Sequence, residues 1–381
     1  MSLREKIINF IKKEIVLIIA MVLAVASSFL VPPDREYLGY IDIDTLIVLF
    51  CLMAIVAGIK ETGAFDKLAG RMLCKVKTVR QMMFMLIILC FCFSMLITND
   101  VALITFVPLT LALFGTQDKK IRERWIVPTV VLQTVAANLG SMLTPIGNPQ
   151  NLFLYGKSGI SFGKFMGIML PYALLAFVLI LAAVFVMIGK KNETLSVARS
   201  EKAEQTDCRK LLLYLLLCVP ALLSVVHILD NRILLVIVFV TVMLFDRKVL
   251  AGVDYFLLLT FAAFFVFIGN MGRLPFFRDF LSGIIEGREM LTSVLTSQFI
   301  SNVPAALLLS GFTSDYRALM IGTNIGGLGT LIASMASLIS YKLITGENPE
   351  CRGRYTRVFT MVNVAFLVIM ILICTEWPAG I

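Results

Sequence analysis

Charge is scarce in this sequence. Asp, Glu, Lys and Arg make up only 15% of 381 residues, against about 25% in soluble proteins. There is one histidine, and no Cys-x-x-Cys pair, His-Glu-x-x-His helix or glycine-rich phosphate loop. Those absences exclude zinc-ribbon, metalloprotease and P-loop nucleotide chemistry. Cys51, Cys74, Cys90, Cys92, Cys208, Cys218, Cys351 and Cys374 are scattered, mostly inside apolar runs. They read as small hydrophobes rather than disulfides or metal ligands. Polar linkers between soluble domains are missing too, and no convincing nucleophile–base pair supports an enzyme.

Apolar runs are what the chain has in abundance. Hydrophobic residues make up 59% and the mean hydropathy is +0.91. The net charge of +9 sits in short basic patches between these runs, a loop pattern rather than a nucleic-acid surface. A soluble enzyme, a nucleic-acid module and a disordered chain are therefore excluded. The fold class expected is an all-α polytopic membrane protein. Ala24-Val25-Ala26 resembles a signal-peptidase site, but the run continues through Phe29-Leu30-Val31, so a retained first span is expected.

A crossing helix needs about 20 apolar residues. Residues 15–31, 43–60, 166–188, 210–229, 232–245, 254–270 and 355–375 qualify, some as short or tilted spans. Four other stretches are interrupted. Residues 81–114 break at Thr98-Asn99-Asp100, and residues 289–312 at Ser301-Asn302. Residues 124–157 break at Asn138–Asn151, and residues 316–344 at Asn324–Ser337. Non-helical backbone at membrane depth survives only when buried in protein or lining a wet cavity. The first pair is expected to form re-entrant hairpins and the second pair discontinuous crossings. That makes about nine crossings. Lys and Arg concentrate on the segments that lie inside if the N-terminus is cytoplasmic, which predicts N-inside, C-outside in a bacterial cell membrane.

The interrupted segments match in pairs. Without gaps, Asn138, Gly140, Thr144 and Ile146 lie over Asn324, Gly326, Thr330 and Ile332. Upstream, Asn99-Asp100-Val101 lies over Asn302-Val303-Pro304, and Asp44 and Gly63 over Asp254 and Gly272. The connectors also agree. Phe65, Leu68, Ala69, Met72, Leu73 and Val76 make one apolar stripe, and Phe277, Phe280, Leu281, Ile284 and Ile285 another, as in helices lying in the interface plane. The chain thus divides into 1–188 (first span plus first repeat), a cytoplasmic linker 189–209, and a second repeat 210–381. An odd number of crossings between the halves inverts them. Inverted repeats with matched broken helices point to a secondary transporter whose site lies at the midplane.

A half-helix starting at the midplane aims unpaired N–H groups at the break and binds anions without Arg or Lys. Thr98, Asn99, Ser301 and Asn302 at the hairpin tips, and Thr144, Asn148 and Thr330 at the broken crossings, are the candidate substrate-binding residues. The freed carbonyls with Asn138 and Asn324, and the bends allowed by Gly140, Gly147 and Gly326, are candidates for coordinating Na+. Gly327 and Gly329 share that character, and close packing explains such glycines equally well. Asp100 is the only acid deep in a broken segment, and its counterpart is Val303. It suits proton or Na+ coupling, with a permanent helix cap as the alternative. His227 reads as interfacial, and Asp44 and Asp254 as helix caps.

Thr98-Asn99-Asp100, Ser301-Asn302-Val303-Pro304 and the segment TPIGNPQN at Thr144–Asn151 resemble the ion transporter superfamily. It includes arsenite permeases, citrate and divalent-anion/sodium symporters and some sodium–proton antiporters. The similarity covers nearly the whole chain, and TPIGNPQN is most similar to a branch of anion permeases. The resemblance implies a homodimer with a scaffold and a mobile part that carries the site across the bilayer like an elevator. In sodium/carboxylate members two Ser-Asn-Thr motifs hold the substrate. Here Val303 replaces the second Thr and the first motif reads Thr-Asn-Asp, which is closer to the arsenite and antiporter branches.

The function expected is secondary transport of a small anion or oxyacid coupled to Na+ or H+. A sodium–proton antiporter and a neutral-oxyacid efflux permease are the alternatives, and a channel fits paired closed hairpins poorly. No cofactor, no metal besides Na+ and no nucleic-acid partner is expected.

Overall fold

The computed structural model describes residues 14–73, 76–189, 193–195 and 207–376, and these are nearly all helical. Helix is what apolar runs must adopt where no water can pair the backbone. The first apolar helix is α1 (Ile15–Leu30), which continues through Ala24–Ala26 but is shorter than the six described helices long enough to cross a membrane. Next come α2 (Ile43–Glu61), the short α3 (Ala64–Leu73), and the hairpin arms α4 (Val79–Ser94) and α5 (Asn99–Gly115). The first broken crossing is α6 (Lys119–Gly140), two single 3-10 turns at Ser141–Leu143 and Pro145–Gly147, and α7 (Pro149–Ser158). It leads to α8 (Phe162–Ile188).

Two apolar helices follow, α9 (Cys208–Val225), long enough to cross a membrane, and the shorter α10 (Asn231–Phe245). The earlier order then recurs. It runs α11 (Tyr255–Gly272), the short α12 (Pro275–Ile285), hairpin arms α13 (Glu289–Ile300) and α14 (Asn302–Ser310), half-helices α15 (Tyr316–Ile325) and α16 (Met335–Glu347), and α17 (Arg352–Glu376). Seven helices, α2–α8, are repeated as α11–α17. The expected linker 189–209 lies mostly outside the described residues. Its Glu193 is held by Arg124 at 3.1 Å and by the Trp125 indole at 3.1 Å.

The breaks are narrower than the sequence suggests. Asn138 is still helical at the end of α6, and Asn151 already belongs to α7. Asn324 is likewise inside α15 and Ser337 inside α16. Asn is tolerated there because its amide is satisfied by tertiary bonds rather than by its own backbone. A second difference concerns the cap of α2. Asp42, not Asp44, accepts the Thr45 N–H at 2.9 Å, so Asp42 is the counterpart of Asp254, which accepts the Leu257 N–H at 2.9 Å.

Helix α6 is the core element: 94% of its apolar window is buried in protein, against 28% for α9. The hairpin arms pack on it and on the opposite repeat. Arm α5 lies against α16, and arm α14 against α7. Helix α1 runs along α11, while α9 and α10 flank α2. Two tyrosines fasten these outer helices. The Tyr214 ring of α9 fills the space where a Cβ on Gly58 would sit, and the Tyr40 ring does the same at Gly269. Both glycines lie three residues from the end of their helix, α2 or α11. Tyr214 Oη then donates to Asp246 at 3.2 Å, which also takes Lys210 at 2.8 Å. Tyr40 Oη receives Arg273 at 3.0 Å, and Arg273 pairs with Asp34 at 2.7 Å.

Candidate functional site

The two broken crossings meet through a buried amide network with pseudo-two-fold symmetry. In α6, Asn138 Oδ1 accepts from Ser334 Oγ at 2.9 Å, and its Nδ2 reaches Ser337 Oγ at 3.3 Å. In α15, Asn324 Oδ1 accepts from Asn148 Nδ2 at 2.9 Å, and its Nδ2 donates to Asn151 Oδ1 at 2.6 Å. The gapless repeat alignment lays Asn148 over Ser334 and Asn151 over Ser337. Each asparagine therefore holds the equivalent pair of residues on the other repeat's second half-helix. All six side chains are buried.

Further bonds recur between each break and its own hairpin. Thr144 Oγ1 donates to the Met95 carbonyl at 2.5 Å, and Thr330 Oγ1 to the Gln298 carbonyl at 3.1 Å. Asn99 Oδ1 accepts the Asp100 N–H, and Asn302 Oδ1 the Val303 N–H, both at 3.0 Å. The glycines fit the same scheme. A Cβ on Gly140 would strike the Phe91 carbonyl and lie 2.6 Å from Ser94 Oγ, and one on Gly326 would lie 2.7 Å from Ser297 Oγ. A Cβ on Gly147 would run into the Ser141 backbone. Close approach, not an unusual bend, is thus the role of Gly140, Gly147 and Gly326. Among the break glycines only Gly329 has a positive φ, 99°.

Two expectations need correction. Several of the break carbonyls offered for Na+ are already hydrogen-bonded. Gln298 Nε2 donates to the Gly326 and Leu328 carbonyls at 2.9 and 3.0 Å, and Asn138 reaches Gly327 O. In the first crossing Asn151 Nδ2 spans the Ser141, Met142 and Thr144 carbonyls at 3.2–3.4 Å. Unpaired carbonyls in an apolar interior cost too much to leave open. Second, these amides are not directed at a free surface: Asn138 spends its own on Asn99, Ser334 and Ser337, while Asn148 donates to Asn324. Asn148 does act as a cap, taking the Asn151 N–H at 2.9 Å. The hydroxyls of Thr98 and Ser301, at the cap positions of α5 and α14, make no capping bond.

At the hairpin tips Asn99 is committed, its Nδ2 donating to Asn138 Oδ1 at 3.1 Å, and fewer groups remain open. Ser301 starts α14 with a strained φ of 75°. Asn302 Nδ2 has room because Gly327 lacks a Cβ, which would lie 3.0 Å away. Asp100 is the second residue of α5, and its carboxylate caps nothing and accepts no hydrogen bond among the described residues. Asp254 lies within electrostatic range of it. Gln150, in the first turn of α7, is buried, and its Nε2 has no partner. Sequence reasoning passed over Gln150 and Gln298, whose repeat counterparts are Ala336 and Met95, so no pairing marked them. Ser94 and Ser297 do align and were available from the same alignment. His227 takes a φ of 62° between α9 and α10, with its ring stacked 5.4 Å from Tyr155. Among the described residues no group of three or more His, Cys, Asp or Glu could hold a metal.

Comparison with known proteins agrees with this architecture. The family model described as "Citrate transporter" matches residues 3–317. The chain belongs to the citrate transporter family. Within that family it is 32% identical to "Uncharacterized transporter MJ0456" of Methanocaldococcus jannaschii, over 88% of this chain and 90% of the relative. It is also 32% identical to "Inner membrane protein YbiR" of Escherichia coli, over 85% of this chain and 86% of that one. A shorter match, 30% identical, joins 34% of the chain to 26% of "Silicon efflux transporter LSI3" of Oryza sativa. This citrate transporter family member is a multi-pass membrane transporter, not an enzyme.

Proposed function

We propose that the protein is a secondary active transporter of a small anion or oxyacid, driven by Na+ or H+, with its site between the tips of the two hairpins. The observation that carries this reading is the reciprocal Asn138–Asn324 network, which joins two structurally repeated halves around broken helices. Such halves, set upside down to each other, suit alternating access about a midplane site. The α5 and α14 N-termini bring two positive helix ends to the tips, where Asn99 and Asn302 take only the Asp100 and Val303 N–H groups, and that field favours an anion. Gln150 Nε2 offers a further buried donor. Asp100 is the coupling residue, exchanging a proton or holding Na+. The bundle of hairpins and broken crossings moves as the elevator against α1, α9 and α10 in a homodimer of the cell membrane, with N inside.

The citrate transporter family and a relative named for silicon efflux define the first probes. Labelled citrate and silicic acid are offered to proteoliposomes with Na+ and pH gradients imposed separately. Uptake accelerated by at least one gradient is expected, and flux indifferent to both contradicts coupled transport. The second reading, a sodium–proton antiporter, is favoured by the unbonded Asp100 carboxylate. It predicts Na+-driven proton movement with no anion present.

A further inference from the structure

The two repeats differ most at one place. Helix α6 has 22 residues and its counterpart α15 only 10, a shortfall of about three turns. Where the extra turns of α6 exist, they take up the cation at the start of the neighbouring helix. Arg354, third residue of α17, donates to the carbonyls of Glu123 and Arg124, the latter at 2.9 Å. Lys164 is the third residue of α8 and so the counterpart of Arg354. No helical turn stands opposite it. Its ammonium has no hydrogen-bond or ion-pair partner among the described residues.

The missing turns leave a cavity of about 560 Å³. That volume is in the range of small-molecule sites. Lys164, Tyr172, Ser314, Asp315, Arg317 and Met320 contribute to its wall. Two of these are cations, and Arg317 stands beside the Tyr172 hydroxyl. The single wall carboxylate, Asp315, is committed to capping α15 through the Ala318 N–H at 2.9 Å. The first turns of α8 and α15 both border the space, which adds the positive ends of two helices. At the wall, the Met320 carbonyl accepts from Asn324 Nδ2 at 2.7 Å. One turn of α15 therefore separates the cavity from the amide network.

We infer that this cavity is a capture site for a carboxylate- or phosphate-bearing anion, placed at the outer approach to the transport site. The inference rests on the proposed anion transport and N-inside topology for its role, but the binding itself does not. The two are separated by measuring both binding and flux on the full-length protein. Binding of labelled citrate and of inorganic phosphate is measured in detergent for wild type, Lys164→Gln, Arg317→Gln and Arg317→Lys, with the unfolding temperature of each as a folding control. The same proteins are assayed for citrate uptake from each side of proteoliposomes.

Loss of about fivefold or more in affinity for both Gln variants, with recovery in Arg317→Lys, is expected. In transport, the half-saturating concentration on the outer face rises to match while the maximal rate holds. Wild-type flux together with unchanged binding in both Gln variants overturns the capture site and leaves the transport reading intact. Binding lost in the variants of a protein that shows no gradient-driven flux keeps the anion site and removes the transport reading. If only added phosphatidylglycerol, and neither soluble anion, stabilises wild type over the Gln variants, the cavity is a lipid-headgroup site and capture is overturned.

Discussion

Asn138 and Asn324 are the clearest case of side chains whose removal leaves several partners stranded. A buried donor or acceptor left unmatched costs about 1–3 kcal/mol. Asn138→Ala and Asn324→Ala are each expected to lose stability of that order in thermal unfolding of the detergent-solubilised protein. Gln150→Ala should behave differently, because its Nε2 has no hydrogen-bond partner among the described residues. It is expected to leave the unfolding temperature in place while weakening substrate affinity, and unfolding and transport on one preparation check both. Gly140→Ala and Gly326→Ala overfill close contacts, a change worth about 1–3 kcal/mol. Truncating Ser297 to Gly should relieve Gly326→Ala only in part, since the Gly322 carbonyl also lies 2.8 Å from the added Cβ. Truncating Ser94 should not relieve Gly140→Ala, because the Phe91 backbone carbonyl is in the way. Paired residues such as Asn138 and Asn324 were legible in the sequence through their repetition. Gln298 was not, since Met95 in the first repeat has no amide to spend on a carbonyl. Pattern identified the breaks, but only packing determines which polar atoms remain open there.

The fastening of α1 to α11 is a property of elements rather than of single residues. Beyond Ser27 and Asn270, bonded at 2.9 Å, it depends on Arg273 holding Asp34 and Tyr40. The Arg273 guanidinium beside Asp34 keeps that carboxyl below its ordinary value. A depressed carboxylate stabilises the fold above its unfolded value and loses that contribution as pH falls through its folded value. Arg273→Ala should therefore unfold at lower temperature than wild type at neutral pH, and the difference should shrink on acidification through the carboxylate range. A gap that widens at low pH would contradict the linkage. Element order itself was readable in advance: the apolar helices and their interruptions lie where hydropathy puts them, although only six of the described helices are long and apolar enough to cross a membrane, and α1 and α10 are shorter. The edges of the elements were not. Asp42 replaces Asp44 as the cap of α2 because capping depends on backbone direction, which two nearby acids cannot reveal in sequence. The widths of the breaks shifted for a related reason. Asparagines that look like breakers remain helical when their amides are bonded across the interface.

At the scale of the molecule, two sets of seven helices are joined at their broken crossings, and each hairpin's return arm packs on the other set's second half-helix. The symmetry is imperfect where chemistry needs it to be. Asp100 faces a valine in the alignment, and the shortened α15 opens a basic cavity that α6 fills in the other repeat. The proposed function puts the site at the midplane between inverted halves, where it must be reachable from opposite sides of the membrane in turn. Replacing Asp100 with Asn should abolish the effect of one imposed gradient on citrate uptake, and unchanged dependence on both would exclude it from coupling. The most direct test of alternating access is sided labelling of the hairpin tips. Thr98→Cys and Ser301→Cys are introduced separately into a background with the native cysteines replaced, and each is exposed to a membrane-impermeant thiol reagent from either face. The account predicts that both tips label from both faces and that substrate slows the reaction. Labelling of each tip from one face only, untouched by substrate, would contradict it.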